Sequence, residues 1–141
     1  MKKKLLIIGL ILGFNIQVFS QTTDDKKLVL ETLLTHINLK QNDHQNAQGV
    51  SELVLVRSQF LIEELNLYQF KRKVVFKEID EITNLNISSY LEFSCIDFSN
   101  SKLVHVCLQY ITNGAEKISS IYRLEKDKDE WKLVNTFSLL K

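Results

Sequence analysis

Residues 103–124 decide the fold, and they read LVHVCLQYIT, then NG, then AEKISSIYRL. Two runs rich in β-branched and aromatic residues flank the dipeptide Asn113-Gly114. An Asn-Gly pair favours a two-residue type I′ turn, because both of its residues readily adopt a positive φ. The stretch therefore predicts an antiparallel β-hairpin with Thr112 opposite Ala115.

Similar β-rich runs lie on both sides of this hairpin. Residues 88–98 precede it and residues 131–140 follow it, and polar turns at 99–102 and 126–130 separate the runs. Together with hairpin strands at 103–112 and 117–125, they predict a four-stranded antiparallel meander. No proline interrupts these strands, because the 141-residue chain contains none.

An amphipathic helix is predicted upstream of the meander, over residues 24–40. Asp24 and Asp25 are favourable in a first helical turn. The apolar stripe that follows has helical spacing and consists of Leu30, Leu33, Leu34 and Ile37. Between helix and meander, residues 71–77 predict a strand, whereas residues 50–57 suit a short buried strand or a helix face equally well.

This order of elements predicts an α+β domain over residues 21–141, with the N-terminal helix packed on a curved antiparallel sheet. The C-terminal sequence adds a further mark, with YRLE at 122–125, a charged turn, and WKLV at 131–134. In these features the chain resembles the NTF2-like (cystatin-like α+β roll) superfamily. The resemblance implies a cavity between sheet and helices, dimers formed through the sheet and, in the enzymes of the family, acid–base chemistry.

The first 20 residues have the features of a secretory signal peptide. Lys2, Lys3 and Lys4 precede an apolar run at 5–14, and Ser20 is a short residue at the expected cut. This run is too short for a bilayer, which needs roughly 20 residues, so we expect no stable membrane anchor after cleavage. The start is similar to those of Gram-negative bacterial exports, and the expected location is the periplasm or the medium.

Charge and motif content exclude several classes of function. The formal net charge is +1, and loss of the three lysines leaves 15 basic against 17 acidic side chains, about −2. This balance does not favour a nucleic-acid partner. The three histidines have no HxxxH spacing and no glycine-rich phosphate loop is present, so we expect no metal and no cofactor.

The turns determine which side chains are neighbours on one face of the meander. A two-residue turn at Asn113-Gly114 places His105 opposite Tyr122, and a three-residue loop at 100–102 places Asp97 opposite His105. A carboxylate raises the basicity of an adjacent imidazole and a phenol can relay a proton, so these three are candidate catalytic residues. A two-residue loop would instead move Asp97 to the other face.

The same register places Cys95 directly opposite Cys107. Directly opposed cysteines in a non-hydrogen-bonded pair are close enough for a disulfide, and an exported chain meets oxidising conditions. The alternative is a pair of buried free thiols.

Both faces of the predicted meander are rich in apolar residues. On the face of Asp97 and His105, we expect Leu91, Phe93 and Ile118 to bind a ligand. Because one face packs on the helix, the other needs a cover, for which residues 50–70, a ligand or a second subunit are candidates. A homodimer is therefore one expected arrangement.

Three functions are compatible with these patterns. The first is a small exported, non-catalytic domain that binds a small apolar ligand or a protein partner in the cell envelope. The second is an NTF2-like acid–base enzyme of the isomerase or dehydratase type, which would use Asp97, His105 and Tyr122. The third is an interaction or immunity-type protein that blocks a partner.

Overall fold

A 14-residue helix lies against one curled, mixed β-sheet in the computed structural model of the chain. The structure describes residues 23–37, 44–45, 48–61, 65–112 and 116–140. The predicted signal peptide, the end of the predicted helix at 38–40 and the Asn113-Gly114 turn lie outside these residues. The helices are α1 (Thr23–His36) and α2 (Ile79–Asn84). The strands are β1 (His44–Gln45), β2 (Ser51–Val56), β3 (Tyr68–Gln69), β4 (Arg72–Lys77), β5 (Tyr90–Asn100), β6 (Leu103–Thr112), β7 (Glu116–Asp127) and β8 (Glu130–Leu140).

The sheet has the order β3-β4-β2-β5-β6-β7-β8, and β1 pairs with β2. From β5 to β8 each strand pairs antiparallel with the next. The expectation of a wholly antiparallel sheet is wrong, because β2 runs parallel to both β4 and β5. Residues 53–56 of β2 are all buried, as is typical of a strand covered on both faces. The 50–57 segment is therefore the short buried strand of the two predicted alternatives.

The main core lies between α1 and one face of the sheet, which we call the inner face. The predicted stripe of α1 is buried there, together with Val29. Strands β6 and β7 contribute alternate side chains, including Val104, Val106 and Leu124, all with no exposed surface. No helix within the described residues is long and apolar enough to cross a membrane.

The opposite, outer face is covered in part by α2, which the sequence analysis does not predict. This helix has only six residues, begins with a capping box between Glu78 and Glu81, and buries Ile82. Ile82 and Ile87 form a second small core with Val54 and Val56 of β2. A single buried residue within so short a helix leaves no apolar periodicity to detect.

Two bulges in β5 set which of its side chains face the helix. Phe93 pairs with Leu108 but Cys95 pairs with Cys107, so Ser94 is an extra residue. Phe93 therefore lies on the inner face and Cys95 on the outer face, whereas the sequence analysis places both on one face.

The second bulge lies at Ser99, and the predicted pairs between β5 and β6 are present although the turn is shorter than predicted. The turn between β5 and β6 has two residues, because Asn100 pairs with Leu103. The extra residue compensates for the shorter turn, so Asp97 still pairs with His105 and Cys95 with Cys107.

The register between β6 and β7 differs by one residue from the prediction. Thr112 pairs with Glu116, not with Ala115, so three residues connect the strands. His105 consequently pairs with Arg123, and Tyr122 pairs with Val106 on the inner face. The Asn-Gly pair predicts the hairpin itself, but not the length of the connection.

Helix α1 is held at both ends by polar contacts. Near its start, the Asp25 carboxylate accepts hydrogen bonds from Lys126 Nζ at 2.9 Å and Trp131 Nε1 at 3.4 Å. Near its end, the buried Gln69 amide donates to the Leu34 and Ile37 carbonyl oxygens at 3.2 and 3.1 Å. The Gln69 contacts satisfy carbonyl groups at the C-terminal end of the helix, where such groups have no partner within the helix. The helix therefore has a fixed position over the inner face.

The β7–β8 turn carries a pH-dependent ion pair. Lys132 Nζ lies 2.7 Å from Asp127 Oδ2, and its hydrogen bond and positive charge hold the pKa of the Asp127 carboxyl below its ordinary value. A lowered pKa adds stability above the ordinary carboxyl pKa, and this stability is lost as the pH falls through the lowered value. In an NMR titration, we expect Lys132→Ala to raise the Asp127 midpoint. An unchanged midpoint would contradict this pairing.

Candidate functional site

A cavity of about 250 Å³ lies on the inner face, beside the C-terminal end of α1. Strands β6, β7 and β8 form one wall, and the last residue of α1 with the residue that follows it forms the other. The lining residues are His36, Ile37, Leu108, Tyr110, Ile118, Ser120, Tyr122, Leu133, Thr136 and Ser138. The set includes one imidazole, that of His36.

Strand alternation explains why these side chains meet. Directly paired residues share a face, and Tyr110 pairs with Ile118 while Leu108 pairs with Ser120. The next residues along continue the pattern, since Tyr122 pairs with Thr136 on β8. The even-numbered residues of β6 and β7 thus form the wall of the cavity.

The wall combines apolar side chains with hydroxyl groups, and two of these hydroxyl groups are paired. Ser120 Oγ and Ser138 Oγ lie 3.0 Å apart across β7 and β8. One hydroxyl of such a pair donates to the other, so the second keeps its proton for another acceptor. Ser120 is buried, with 7% of its surface exposed. The pair can therefore donate a hydrogen bond to a ligand in the cavity.

His36 lies at the α1 side of the cavity and has a defined ring orientation. Its Nδ1 is 2.7 Å from the Thr32 carbonyl oxygen, which can only accept a hydrogen bond. The neutral ring therefore carries its proton on Nδ1, and Nε2 is an acceptor. A ligand with an N–H or O–H group has a partner here.

Only one of the three predicted ligand residues lines this cavity. Ile118 lies in its wall. Leu91 and Phe93 are fully buried in the main core, on the same face but within the packed interior. Their predicted role in ligand binding stays a prediction, and their observed contacts are those of core residues.

The predicted row of Asp97, His105 and Tyr122 does not form. Asp97 and His105 pair directly on the outer face, where His105 Nδ1 lies 3.5 Å from Ser99 Oγ. Tyr122 is 9% exposed and lies on the inner face, on the other side of the sheet. The one-residue difference in the β6–β7 register separates it from the other two. Acid–base roles for Asp97 and His105 stay predictions.

Cys95 and Cys107 form a disulfide, as the pairing of β5 and β6 predicts. Their Cα atoms are 4.8 Å apart, close to the spacing of a non-hydrogen-bonded antiparallel pair. The bond lies on the outer face, away from the cavity. A disulfide is consistent with an oxidising, exported environment.

Most lining residues of the cavity are missed by the sequence analysis. With the predicted turn of two residues, Ser120 and Tyr122 belong to the face of the cysteines. Ser120, Tyr122, Thr136 and Ser138 all have hydroxyl groups and alternate along β7 and β8. The alternation of hydroxyl residues along two neighbouring strands is the sequence signal for this wall. With the correct register it places these residues on the face that packs against α1.

Comparisons with protein-family models, with curated proteins and with solved structures find no match to this chain.

Proposed function

We propose that this protein is an exported, non-catalytic domain that binds a small, mainly apolar, uncharged ligand between α1 and β6–β8. The observation that carries this proposal is the cavity of about 250 Å³ with a mixed apolar and hydroxyl lining. Ligand sites are typically apolar with a few placed polar groups. The disulfide and the signal-like N-terminus support export to an oxidising compartment.

The size of the cavity limits the ligand. An apolar protein cavity of about 150 Å³ accommodates benzene, so about 250 Å³ corresponds to roughly ten non-hydrogen atoms. A bicyclic aromatic compound fits this size. The element order that resembles NTF2-like domains also supports a ligand between helix and sheet.

The polar groups define which ligands are preferred. The Ser120–Ser138 pair offers a donor, and His36 Nε2 offers an acceptor when the ring is neutral. No carboxylate, lysine or arginine is among the described lining residues, so a charged ligand gains no ion pair to offset its desolvation. A neutral compound with one hydroxyl group satisfies these conditions.

The test uses 2-naphthol as the probe and naphthalene as its apolar counterpart. By titration calorimetry or NMR we expect 2-naphthol to bind with a Kd on the order of 0.1 mM, and naphthalene to bind more weakly. Ile118→Trp fills the cavity from β7 and should weaken binding at least about tenfold, a difference of roughly 1.4 kcal/mol.

The matched control is Ile121→Trp, since Ile121 lies on the same strand but on the outer face with 38% of its surface exposed. Its affinity for 2-naphthol should equal that of the unmodified protein. Equal weakening in both variants, or no binding by the unmodified protein, would refute the site. Thermal unfolding of both variants verifies that each is folded.

A further inference from the structure

The C-terminal part of strand β8 is an edge of the sheet with little of the usual protection. It has 11 residues and, within the part of the chain that the structure describes, pairs only with β7. Its last seven residues, Val134–Leu140, read VNTFSLL and contain no charge and no proline. Exposed edges are normally blunted by lysine, proline, short length or a β-bulge, because their free backbone groups attract another strand. In β8 the lysine, Lys132, and the bulge, at Val134, lie before and at the start of this segment, so residues 135–140 have neither. The other edge, β3, has only two residues.

The backbone groups that point outward from this edge can be identified. The Thr136 N–H donates to the adjacent Asn135 side chain at 2.8 Å, so it is directed to the open side and not to β7. Because strand backbone groups alternate in direction, Ser138 presents its N–H and C=O to the same side. Val134 and Phe137 are 54% and 57% exposed along this segment.

The composition of the segment favours a second copy of this chain as its partner. When two copies pair antiparallel about a two-fold axis, the residues before the axis in one copy face the residues after it in the other. Like charges that face each other directly destabilise such a strand pair. Phe137 is the central residue of the uncharged segment 134–140. With the axis at Phe137 the segment pairs with itself, and no like charges meet because it contains no charged residue. Thr136 of each copy then faces Ser138 of the other copy as a hydrogen-bonded pair.

We propose that two copies pair antiparallel through β8, with the two-fold axis at Phe137. The two sheets then form one continuous sheet, and the Phe137 side chains of the two copies lie opposite each other on the outer face. The Thr136 N–H leaves the Asn135 side chain and donates to the backbone carbonyl oxygen of Ser138 in the second copy. One hydrogen bond replaces another at this position, and the remaining edge groups gain partners.

This pairing also completes the cavity. Thr136 and Ser138 are lining residues on the edge strand, so the cavity adjoins the open side of the sheet. In the dimer, Ser138 of the second copy lies opposite Thr136 and extends the wall. The pairing itself does not depend on the ligand site, whereas this completion of the cavity rests on the function proposed above.

The test is disulfide cross-linking of the purified protein. In a non-hydrogen-bonded pair the two Cα atoms are about 4.5 Å apart, so Phe137→Cys should form a covalent dimer on a non-reducing gel. Asn135→Cys is the matched control, since Asn135 faces residue 139 of the second copy. Two such cysteines are separated by about four residues of strand, roughly 14 Å, and should not cross-link.

Light scattering with Phe137→Lys gives a second measurement. We expect twice the monomer mass for the unmodified protein, and a dimer dissociation constant raised about tenfold or more in the variant by like-charge repulsion. A monomer at all concentrations, cross-linking of Asn135→Cys in preference to Phe137→Cys, or a dimer indifferent to Phe137→Lys would each overturn the proposal. A monomer that still binds 2-naphthol would leave the ligand site intact, so the two failures are distinguishable.

Discussion

Phe93→Ala is expected to lower the free energy of unfolding by about 4 kcal/mol. Phe93 has no exposed surface and is the largest of the fully buried side chains of the main core. It pairs with Leu108 beside the Ser94 bulge and packs among the buried residues of the main core. The cost therefore combines lost burial with a residual cavity.

The measurement is urea denaturation followed by tryptophan fluorescence from Trp131. Phe70→Ala is the control, because Phe70 is 75% exposed and its truncation should change stability by less than about 0.5 kcal/mol. Phe93→Leu, which retains most of the buried volume, should cost about 1.5 kcal/mol and guards against a variant that fails to fold. If the free energy of unfolding falls no more in Phe93→Ala than in Phe70→Ala, Phe93 does not contribute to the core as described.

Reduction of the Cys95–Cys107 bond is expected to lower the free energy of unfolding by about 3 kcal/mol. The bond joins residues 12 apart in sequence, and opening it returns conformational freedom to the unfolded chain. Because the bond lies on the outer face, reduction should leave 2-naphthol binding unchanged while the protein is folded. Urea denaturation with and without reductant provides the measurement.

The control is the double variant Cys95→Ser with Cys107→Ser. Its stability should match that of the reduced protein and should not respond to the reductant. Thiol titration of the denatured, unreduced protein gives an independent result, since two free thiols would show that no bond is present.

The periodic patterns predict the elements well, because each reports on burial along its own segment. The stripe of Leu30, Leu33 and Leu34 identifies α1, and the β-rich runs identify β5 to β8. The parallel pairing of β2 is not predicted, because its short apolar run suits a buried strand and a helix face equally well. Helix α2 is too short for periodicity to detect.

The site depends on register, which the local sequence determines less strongly. One additional residue in the β6–β7 connection moves Tyr122 from the face of His105 to the face of α1. By contrast, the pairing of Asp97 with His105 is correct, because the bulge at Ser99 offsets a turn of two residues. Chemistry inferred from paired side chains is therefore only as accurate as the length of the turn beside them.

The bulge at Ser94 determines where β5 tolerates the deletion of a residue. Without Ser94, the strand would read Leu91, Glu92, Phe93, Cys95, with inner and outer residues in strict alternation. Loss of Ser94 alone would leave all the remaining side chains of β5 on their present faces and would remove only the bend at the bulge. A deletion at Ile96 would instead turn Asp97 toward the core. We therefore expect variants with one residue fewer at Ser94 to fold, whereas those with the same loss two positions later would not.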